Sequence, residues 1–398
     1  MRIPHLALAG ATLATALTLV ASSITQAAVD PATHALQYLA GQQGADGSIA
    51  GHAGPTEDAI IGAADAGYDP ATLVPPSGTS AFAYLTAQTV AGKADSSAGA
   101  TAKLILAVVA GHLDPSGFAG KDLVAELLGA AQFDSTSGRF DPGAPNTFSQ
   151  ALGTLALQAA GQAVPAAAVT ALLAMQRNDD HGWGYDGSAF TTRSDSNSTA
   201  LALQALAAVG QASGTALTGA LGYLHALQGA DGGFGFDVAS PSDPNSDALV
   251  IQGLVAVGED PAAAAWTRAR LTVVSNLLSF QDAATGGFHA LGATAPDAFT
   301  TSQIPSALAR RPYGSPTSFT PGTRVPPLPA PTPAPPPTAV PTPTAGVAGV
   351  AAAPSTGGGP VAGIADENSG ISAGEIAVVM SLLGAGGAAL VHGRRRRG

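Results

Sequence analysis

Cysteine is missing altogether from the 398 residues of this chain. Its absence excludes disulfides, thiolate metal sites and cysteine nucleophiles together, and it leaves the redox compartment open. Basic residues are scarce as well: between residues 29 and 312 there are 10 Lys or Arg against 24 Asp or Glu. A surface that neutralises phosphates needs the opposite sign, so nucleic acid is not an expected partner. The eight His contain no His-x-x-x-His pair, which removes the commonest helical zinc signature. What the chain has in quantity is hydrophobic residues, 46%, with 50 Gly and 30 Pro. That suffices for a large core, many turns and one biased segment.

A short signature recurs six times: a Gln that ends a helix, then within a few residues Asp-Gly or Gly and an aromatic. The clearest copies are Gln228-Gly229-Ala230-Asp231-Gly232-Gly233-Phe234 and Gln281-Asp282-Ala283-Ala284-Thr285-Gly286-Gly287-Phe288. Weaker ones are Gln43 with Asp46 and Gly47, Gln132 with Gly138 and Phe140, Gln176 with Gly182 and Trp183, and a degenerate copy at Gln88. Successive Gln are 45, 44, 44, 52 and 53 residues apart, the period of a structural repeat.

Each repeat predicts a pair of helices. Before the Gln lies a one-sided helix, as in Leu217, Ala220, Leu221, Leu224 and Leu227, spaced to bury one face. After the turn comes a helix that is apolar almost all round, as in Ala200 to Val209, which demands burial on several sides. The inner helices open on Glu57-Asp58, a stretch near Ser96-Ser97, Asn146-Thr147, Asn197-Ser198-Thr199, Asn245-Ser246-Asp247 and Thr300-Thr301-Ser302. Residues of these types serve as N-caps. Gly67, Gly111, Gly161, Gly210 and Gly258 suit the left-handed position that closes a helix. Six outer and six inner helices give an all-α fold, an α6/α6 toroid with the inner N-termini on one face.

The ends read differently. Arg2, the apolar run Leu6 to Ala21 and the small residues up to Ala28 predict a secretory signal peptide over residues 1–28. The toroid then occupies 29–312, and a Pro/Gly-rich disordered linker, 313–372, acts as a stalk. Residues 373–393, built on the apolar run Ile376 to Val391, predict a transmembrane anchor, with 394–398 a basic cytoplasmic tail. Pro354-Ser355-Thr356-Gly357 is similar to the core of a sortase signal, with Ala353 where Leu belongs and a long spacer after it, departures that favour a plain membrane anchor. Either attachment leaves the body exported and held at the cell surface.

The Gln-to-aromatic turns, together with Ser198-Thr199-Ala200-Leu201-Ala202-Leu203-Gln204-Ala205-Leu206, resemble the prenyltransferase/squalene oxidase repeats of squalene and terpene cyclases and protein prenyltransferase β-subunits. Intrinsic factor and transcobalamin carriers and the complement thioester domain share that toroid. The resemblance spans about residues 31–310 and implies structural roles for the Gln and the aromatic. It also implies chemistry that can be checked. Cyclases of the squalene type carry Asp-x-Asp-Asp-Thr-Ala, and the matching stretch here is Asp195-Ser196-Asn197-Ser198-Thr199-Ala200, without the two central acids. Zinc in prenyltransferases and the complement thioester both need Cys. Intrinsic-factor-like carriers bind cobalamin between the toroid and a β-rich domain, for which residues 313–372 offer no room. No catalytic residue, metal or cofactor is assigned on these grounds, with cobalamin the one cofactor the resemblance brings into view. The acidic loops with Asp179-Asp180-His181 and Asp186, or Asp243 and Asp247, could hold Ca²⁺ but lack regular ligand spacing.

The expected function is therefore non-catalytic binding of a small or extended ligand at the mouth of the toroid, where polar caps and unpaired amides ring a cavity. The candidate residues are Glu57, Asp58, Asn146, Asn197, Asn245, Asp247 and Thr301, with Trp183 and Tyr185 as stacking surfaces. Two alternatives stay open. One is a terpene cyclase/mutase-like or prenyltransferase-like enzyme with an acid such as Asp58 or Asp247. The other is a surface scaffold or adhesion module that uses the outer helices.

Overall fold

The computed structural model describes residues 29–76, 78–187 and 193–328. The expected signal peptide, anchor, basic tail and most of the linker lie outside these residues. Helices dominate: α1 Pro31–Gln42, α2 Ala53–Asp65, α3 Ala81–Val90, α4 Ala98–Ala110, α5 Leu123–Leu127, α6 Thr147–Ala159 and α7 Ala166–Ala174. They continue with α8 Ser196–Ala208, α9 Gly214–Leu227, α10 Pro244–Ala256, α11 Val273–Ser279, α12 Ala298–Ser302 and α13 Pro305–Leu308. Two hairpins of two-residue strands, Phe133–Asp134 with Arg139–Phe140 and Thr267–Arg268 with Leu271–Thr272, decorate the turns.

The inner and outer helices differ in burial as their composition requires. In α8 every residue from Ser196 to Leu206 is buried, whereas the outer α9 buries only Ala220 and Leu224. Inner helices pack side by side in sequence: α2 on α4, α4 on α6, α6 on α8, α8 on α10, α10 on α13, and α12 and α13 back on α2. The sixth inner helix is broken in two, a departure from the continuous helix expected there. Pro305 lacks the amide that a continuous helix would use, and its ring lies against Gly62 of α2, where a Cβ would come within 2.8 Å.

The repeated Gln explains how neighbouring repeats lock. Gln43 Nε2 donates to Gly47 O and Leu73 O, Gln176 to His181 O and Ala216 O, and Gln228 to Gly232 O and Trp266 O, all at 2.8–3.0 Å. Each thus joins its own turn to the next repeat, at Ala216 inside the next outer helix or at Leu73 and Trp266 in the segment that leads into it. In the third repeat Gln132 donates instead to Asp95 O at 3.3 Å, and Gln150 of α6 makes the double bridge to Gly138 O and Ala168 O at 2.8 and 2.9 Å.

The turn glycines are required by close approach. Gly47, Gly138, Gly232 and Gly286 all have positive φ, and a Cβ on any of them would strike backbone near the start of the outer helix that follows around the ring. In the fourth repeat the left-handed residue is His181, φ 63°, and the room is made on the other side: Gly219 of α9 lies where a Cβ would be 2.6 Å from His181 Cβ.

Four of the five helix-closing glycines, Gly67, Gly161, Gly210 and Gly258, take positive φ as expected, but Gly111 does not. Phe82 sits on Gly111, 2.3 Å from where its Cβ would be, and the left-handed residue is the next one, His112. The N-caps also need correction. They are His52, Ser97, Asn146, Asp195, Asp243 and Asp297. Only Asn146 and the Ser97 region match the expected openings.

The folded body extends past residue 312. Tyr313 is buried, Thr317 Oγ1 donates to Ala110 O at 3.0 Å, His112 stacks on Phe319 at 4.3 Å, and Gln37 Nε2 donates to Pro327 O at 3.3 Å. The first part of the expected linker, 313–328, is therefore a strap on the helices, because its apolar and carbonyl groups find partners there.

Candidate binding site in the helix ring

Counting from the N-caps shows what faces the axis. The residue six positions after each cap is Asp58, Lys103, Leu152, Leu201, Leu249 or Gln303, and all six line one cavity. The cavity holds about 90 Å³ of space for the centres of water molecules and is partly open. Phe148 and Phe299, two positions after their caps, add aromatic wall. One side is thus apolar, and the other carries Glu57, Asp58 and Lys103.

The polar side has a definite order. Asp58 Oδ2 accepts from Lys103 Nζ at 2.7 Å, and Asp58 Oδ1 accepts from the Tyr313 hydroxyl at 2.9 Å. The Tyr313 amide donates to Gln204 Oε1 of α8 at 2.9 Å, which fixes the strap across the ring. Tyr313 also lines a second cavity of about 580 Å³ at the other ends of the inner helices, so its side chain lies between the two spaces. Burial and the carboxylates around it push its hydroxyl pKa well above the ordinary tyrosine value. Glu57 is 1% exposed, and its Oε1 has no hydrogen-bond partner among the described residues. Burial drives its pKa up to about 8, with Lys103 pulling it down and Asp58 pushing it up.

Of the nine sequence candidates, only Glu57 and Asp58 line this cavity. Thr301 and Asp247 belong to a different register, four residues after their caps. There Thr56, Thr199, Asp247 and Thr301 each accept the amide of the turn's hydrophobic residue, from Ile49, Trp183, Phe234 and Phe288, at 2.7–2.9 Å. These are staples between turn and helix. Asp247 occupies a threonine position with a buried carboxyl, its Oδ2 unpartnered among the described residues and its pKa pushed well up by burial.

Asn146 caps α6 by accepting from Ser149 N at 2.8 Å, Asn197 Oδ1 accepts from Ser196 Oγ at 3.1 Å, and Asn245 Nδ2 donates to Thr300 O at 3.3 Å. Trp183 is fully buried and donates through Nε1 to Leu172 O at 2.8 Å, a core role rather than a stacking surface. Tyr185 comes near the cavity only through Phe148, against which it tilts at 5.7 Å, and burial lifts its pKa to about 12. Asp195 is a cap, accepting from Ser198 N at 2.6 Å, with a pKa raised by burial to about 7.

The expected unpaired amides are largely taken. The first amides of α4, from Ala98 and Gly99, donate to the Asp141 carboxylate at 2.7 and 3.4 Å, and Asp195, Asp243 and Asp297 cap α8, α10 and α12. Among the described residues no group of three or more His, Cys, Asp or Glu is placed to hold a metal ion. Asp179 and Asp180 instead pair with Arg177 at 2.8 and 3.8 Å. Sequence reasoning missed Lys103, Tyr313 and the apolar wall of Leu152, Leu201 and Leu249. Counting six from the expected openings reaches Lys103 and Leu152 but not Leu201 or Leu249, because the caps of α8 and α10 lie two residues ahead of Asn197 and Asn245.

No protein-family profile and no curated protein sequence matches the chain. Among solved structures it is similar to the type II terpene cyclase MstE from Scytonema, at 14% identity and TM-score 0.48, over 70% of this chain and 96% of that one. It is similar to the unsaturated glucuronyl hydrolase from Bacillus sp. GL1, at 13% identity and TM-score 0.46, over 71% and 94%. Candida albicans protein geranylgeranyltransferase-I follows at 11% identity and TM-score 0.39, over 54% and 66%. All three are α/α toroids.

Proposed function

We propose that this protein is an exported, surface-attached α6/α6 toroid whose axial cavity binds a small molecule without converting it. The observation that carries the reading is the ring of cap-plus-six residues: six helices turn the same position onto one open space, three leucines facing Asp58, Lys103 and Gln303. Such a wall, mostly hydrophobic with a few placed polar groups, is the common form of a small-molecule site. The apolar run after Arg2, and the run Ile376 to Val391 followed by Arg394 to Arg397, support export and a membrane anchor for the body. No cofactor and no nucleic acid is part of this reading. A scaffold that works through its outer helices would need no such wall.

One observation favours an enzyme of the cyclase kind instead. Glu57 is a buried carboxyl on the charged side of the cavity, with its pKa raised by burial to about 8 and one oxygen unpartnered among the described residues, which is the environment of a general acid. Asp58 and Asp247 fit that role less well, since one is tied to Lys103 and Tyr313 and the other is spent on the Phe234 turn. The space, about 90 Å³, suits a compact group better than a polyprenyl chain.

The test is to mix the full chain, and a Leu249→Trp variant that fills the cavity, with cell extract and identify retained molecules by mass spectrometry. The binding reading expects a molecule held by the parent and missing from a folded variant. Turnover of squalene or a shorter polyprenyl substrate by the parent, lost in Glu57→Gln, would establish the enzyme in its place. Equal retention by both proteins would contradict the cavity as the site.

A further inference from the structure

The charged side of the cavity contains one group with nothing to do. Asp58 is spent on Lys103 and Tyr313, and Lys103 is spent on Asp58. Glu57, one residue earlier on α2, is buried on the same wall with its Oε1 unpartnered. A buried oxygen without a partner is costly and is retained where something else supplies the partner.

The partner can be narrowed by charge. An anion would want a free cation or free helix amides. Lys103 is already paired, and the first amides of α4 are held by Asp141. A cation finds along the same cavity the Glu57 carboxyl, one oxygen of which is buried without a partner, and the aromatic side chains of Phe148, Phe299 and Tyr313. The acidic balance of the body draws cations toward it as well. Resting on the reading of this cavity as a binding site, we infer that its ligand is an organic cation, an ammonium group that meets Glu57 while its apolar body lies along Leu152, Leu201 and Leu249.

A proton must move for this to work. Glu57 is held near a pKa of about 8 by burial, so at neutral pH its carboxyl is mostly protonated. An ammonium beside it favours the carboxylate, so the proton leaves Glu57 for the solvent as the cation enters, and charge is conserved. The groups around Glu57 are Lys103 from α4, Asp58 on its own helix, Tyr84 from α3 and Tyr313 from the strap. α12 and α13 bring no charged side chain, and α1 carries only His34 and Tyr38, held against Gly286 and Pro296. Affinity should therefore rise from pH 6.5 to 8 as Glu57 gives up its proton more readily.

The experiment is calorimetric titration of the full chain with benzylammonium, benzyl alcohol and benzoate at both pH values, in two buffers of different ionisation enthalpy. The expected result is that benzylammonium binds at least about tenfold tighter than the alcohol at pH 8, roughly the effect of one charge-assisted contact in a desolvated site. At pH 6.5 it should release close to one proton per molecule bound. Glu57→Gln removes no atom from the wall and should lose both the release and the preference. Lys103→Met, which takes away the competing cation, should tighten benzylammonium binding.

Binding of benzyl alcohol as tightly as the ammonium, with no proton release, would overturn the inference and leave the cavity a site for neutral ligands. Tighter binding of benzoate would overturn it too. If neither the alcohol nor the ammonium binds, the reading of the cavity as a binding site fails with it.

Discussion

Gln281 donates through Nε2 to the carbonyl of Pro31, 250 residues earlier in the chain, at 3.0 Å, while the same amide group reaches Gly286 O at 3.0 Å. The identical double bridge joins neighbouring repeats through Gln43, Gln176 and Gln228. The last repeat therefore treats the first helix as its next neighbour, and Gly286 packs on His34 of α1 as the other turn glycines pack on theirs. An open array of repeats unfolds from its ends, whereas a ring has none. Gln281→Ala should lower stability by about 1–2 kcal/mol, because two partly buried carbonyls lose their donor. Urea unfolding followed by circular dichroism would measure it. A loss no larger than that of an exposed Gln→Ala control would remove Gln281 as the closing link.

Two glycines on one helix give a sharper test of packing. Gly219 and Gly222 both lie inside α9, but a Cβ at Gly219 would meet His181 at 2.6 Å and one at Gly222 would meet nothing. Gly219→Ala should therefore destabilise by about 1–3 kcal/mol through overpacking. Gly222→Ala should stabilise by about 0.5–1 kcal/mol, since alanine is the better helix former. Thermal melts of both variants decide it, and the same sign for both would mean that α9 does not lie on His181 as described.

Stability should fall as pH rises from about 5 to 8. A carboxyl whose pKa is higher in the folded chain binds its proton more tightly when folded, so its contribution is full below the unfolded pKa and fades toward the folded one. Glu57 covers the window from 4.5 to about 8, and Asp65 and Asp195 the window from 3.8 to about 7, all raised by burial. Half-buried Asp134 and Asp282, lowered by hydrogen bonds to Ser137 and Thr285, act oppositely and lose their contribution as pH drops below 3.8. Asp247→Thr places at that site the residue that Thr56, Thr199 and Thr301 supply elsewhere. It should raise stability at pH 8 by about 1–3 kcal/mol, because a buried carboxyl is removed and the bond from the Phe234 amide is kept. Melting temperature against pH for the two proteins would show it. A parent curve that rises from pH 5 to 8 would contradict the burial of these acids.

The strap should behave as part of the core. Tyr313 is buried with both its amide and its hydroxyl bonded across the ring. Tyr313→Ala should cost about 3–5 kcal/mol, the usual range for deleting a buried aromatic ring. A chain that ends at residue 312 should be weakened at least as much as this variant, and one that ends at 328 should melt like the parent. Equal stability of the two truncations would return residues 313–328 to the status of a linker.

The period of the Gln anchors made the repeated helix pairs legible before any coordinates, because Gln43, Gln228 and Gln281 each sit at the end of a helix whose next turn needs a glycine, although Gln88 falls inside α3 and Gln132 lies beyond the end of α5. The polar openings gave the inner helices but not their register. Asn197 and Asn245 look like caps, yet Asp195 and Asp243, each two residues earlier, hold the first-turn amides. That small shift sets the cavity-facing positions of α8 and α10 at Leu201 and Leu249, beside Leu152 of the unshifted α6, so candidates chosen for polarity fell on staples such as Asp247 and Thr301. Glu57 and Asp58 were found because α2 alone places acids there. Tyr313 was out of reach of pattern reading, since its role depends on a contact with Asp58 across 255 residues.

The most direct test of the cavity uses the lack of native cysteine. Leu249 lines the cavity and is 8% exposed, while Leu254, on the same helix, is fully buried in the core. A single cysteine at either position is the only thiol in its chain, and the measurement is its rate of reaction with a small cationic methanethiosulfonate under native conditions. The account predicts that Leu249→Cys reacts far faster than Leu254→Cys, and that the cationic reagent outpaces an anionic one of the same size at Leu249→Cys alone. Equal rates at the two positions would contradict an open cavity at the axis of the inner helices.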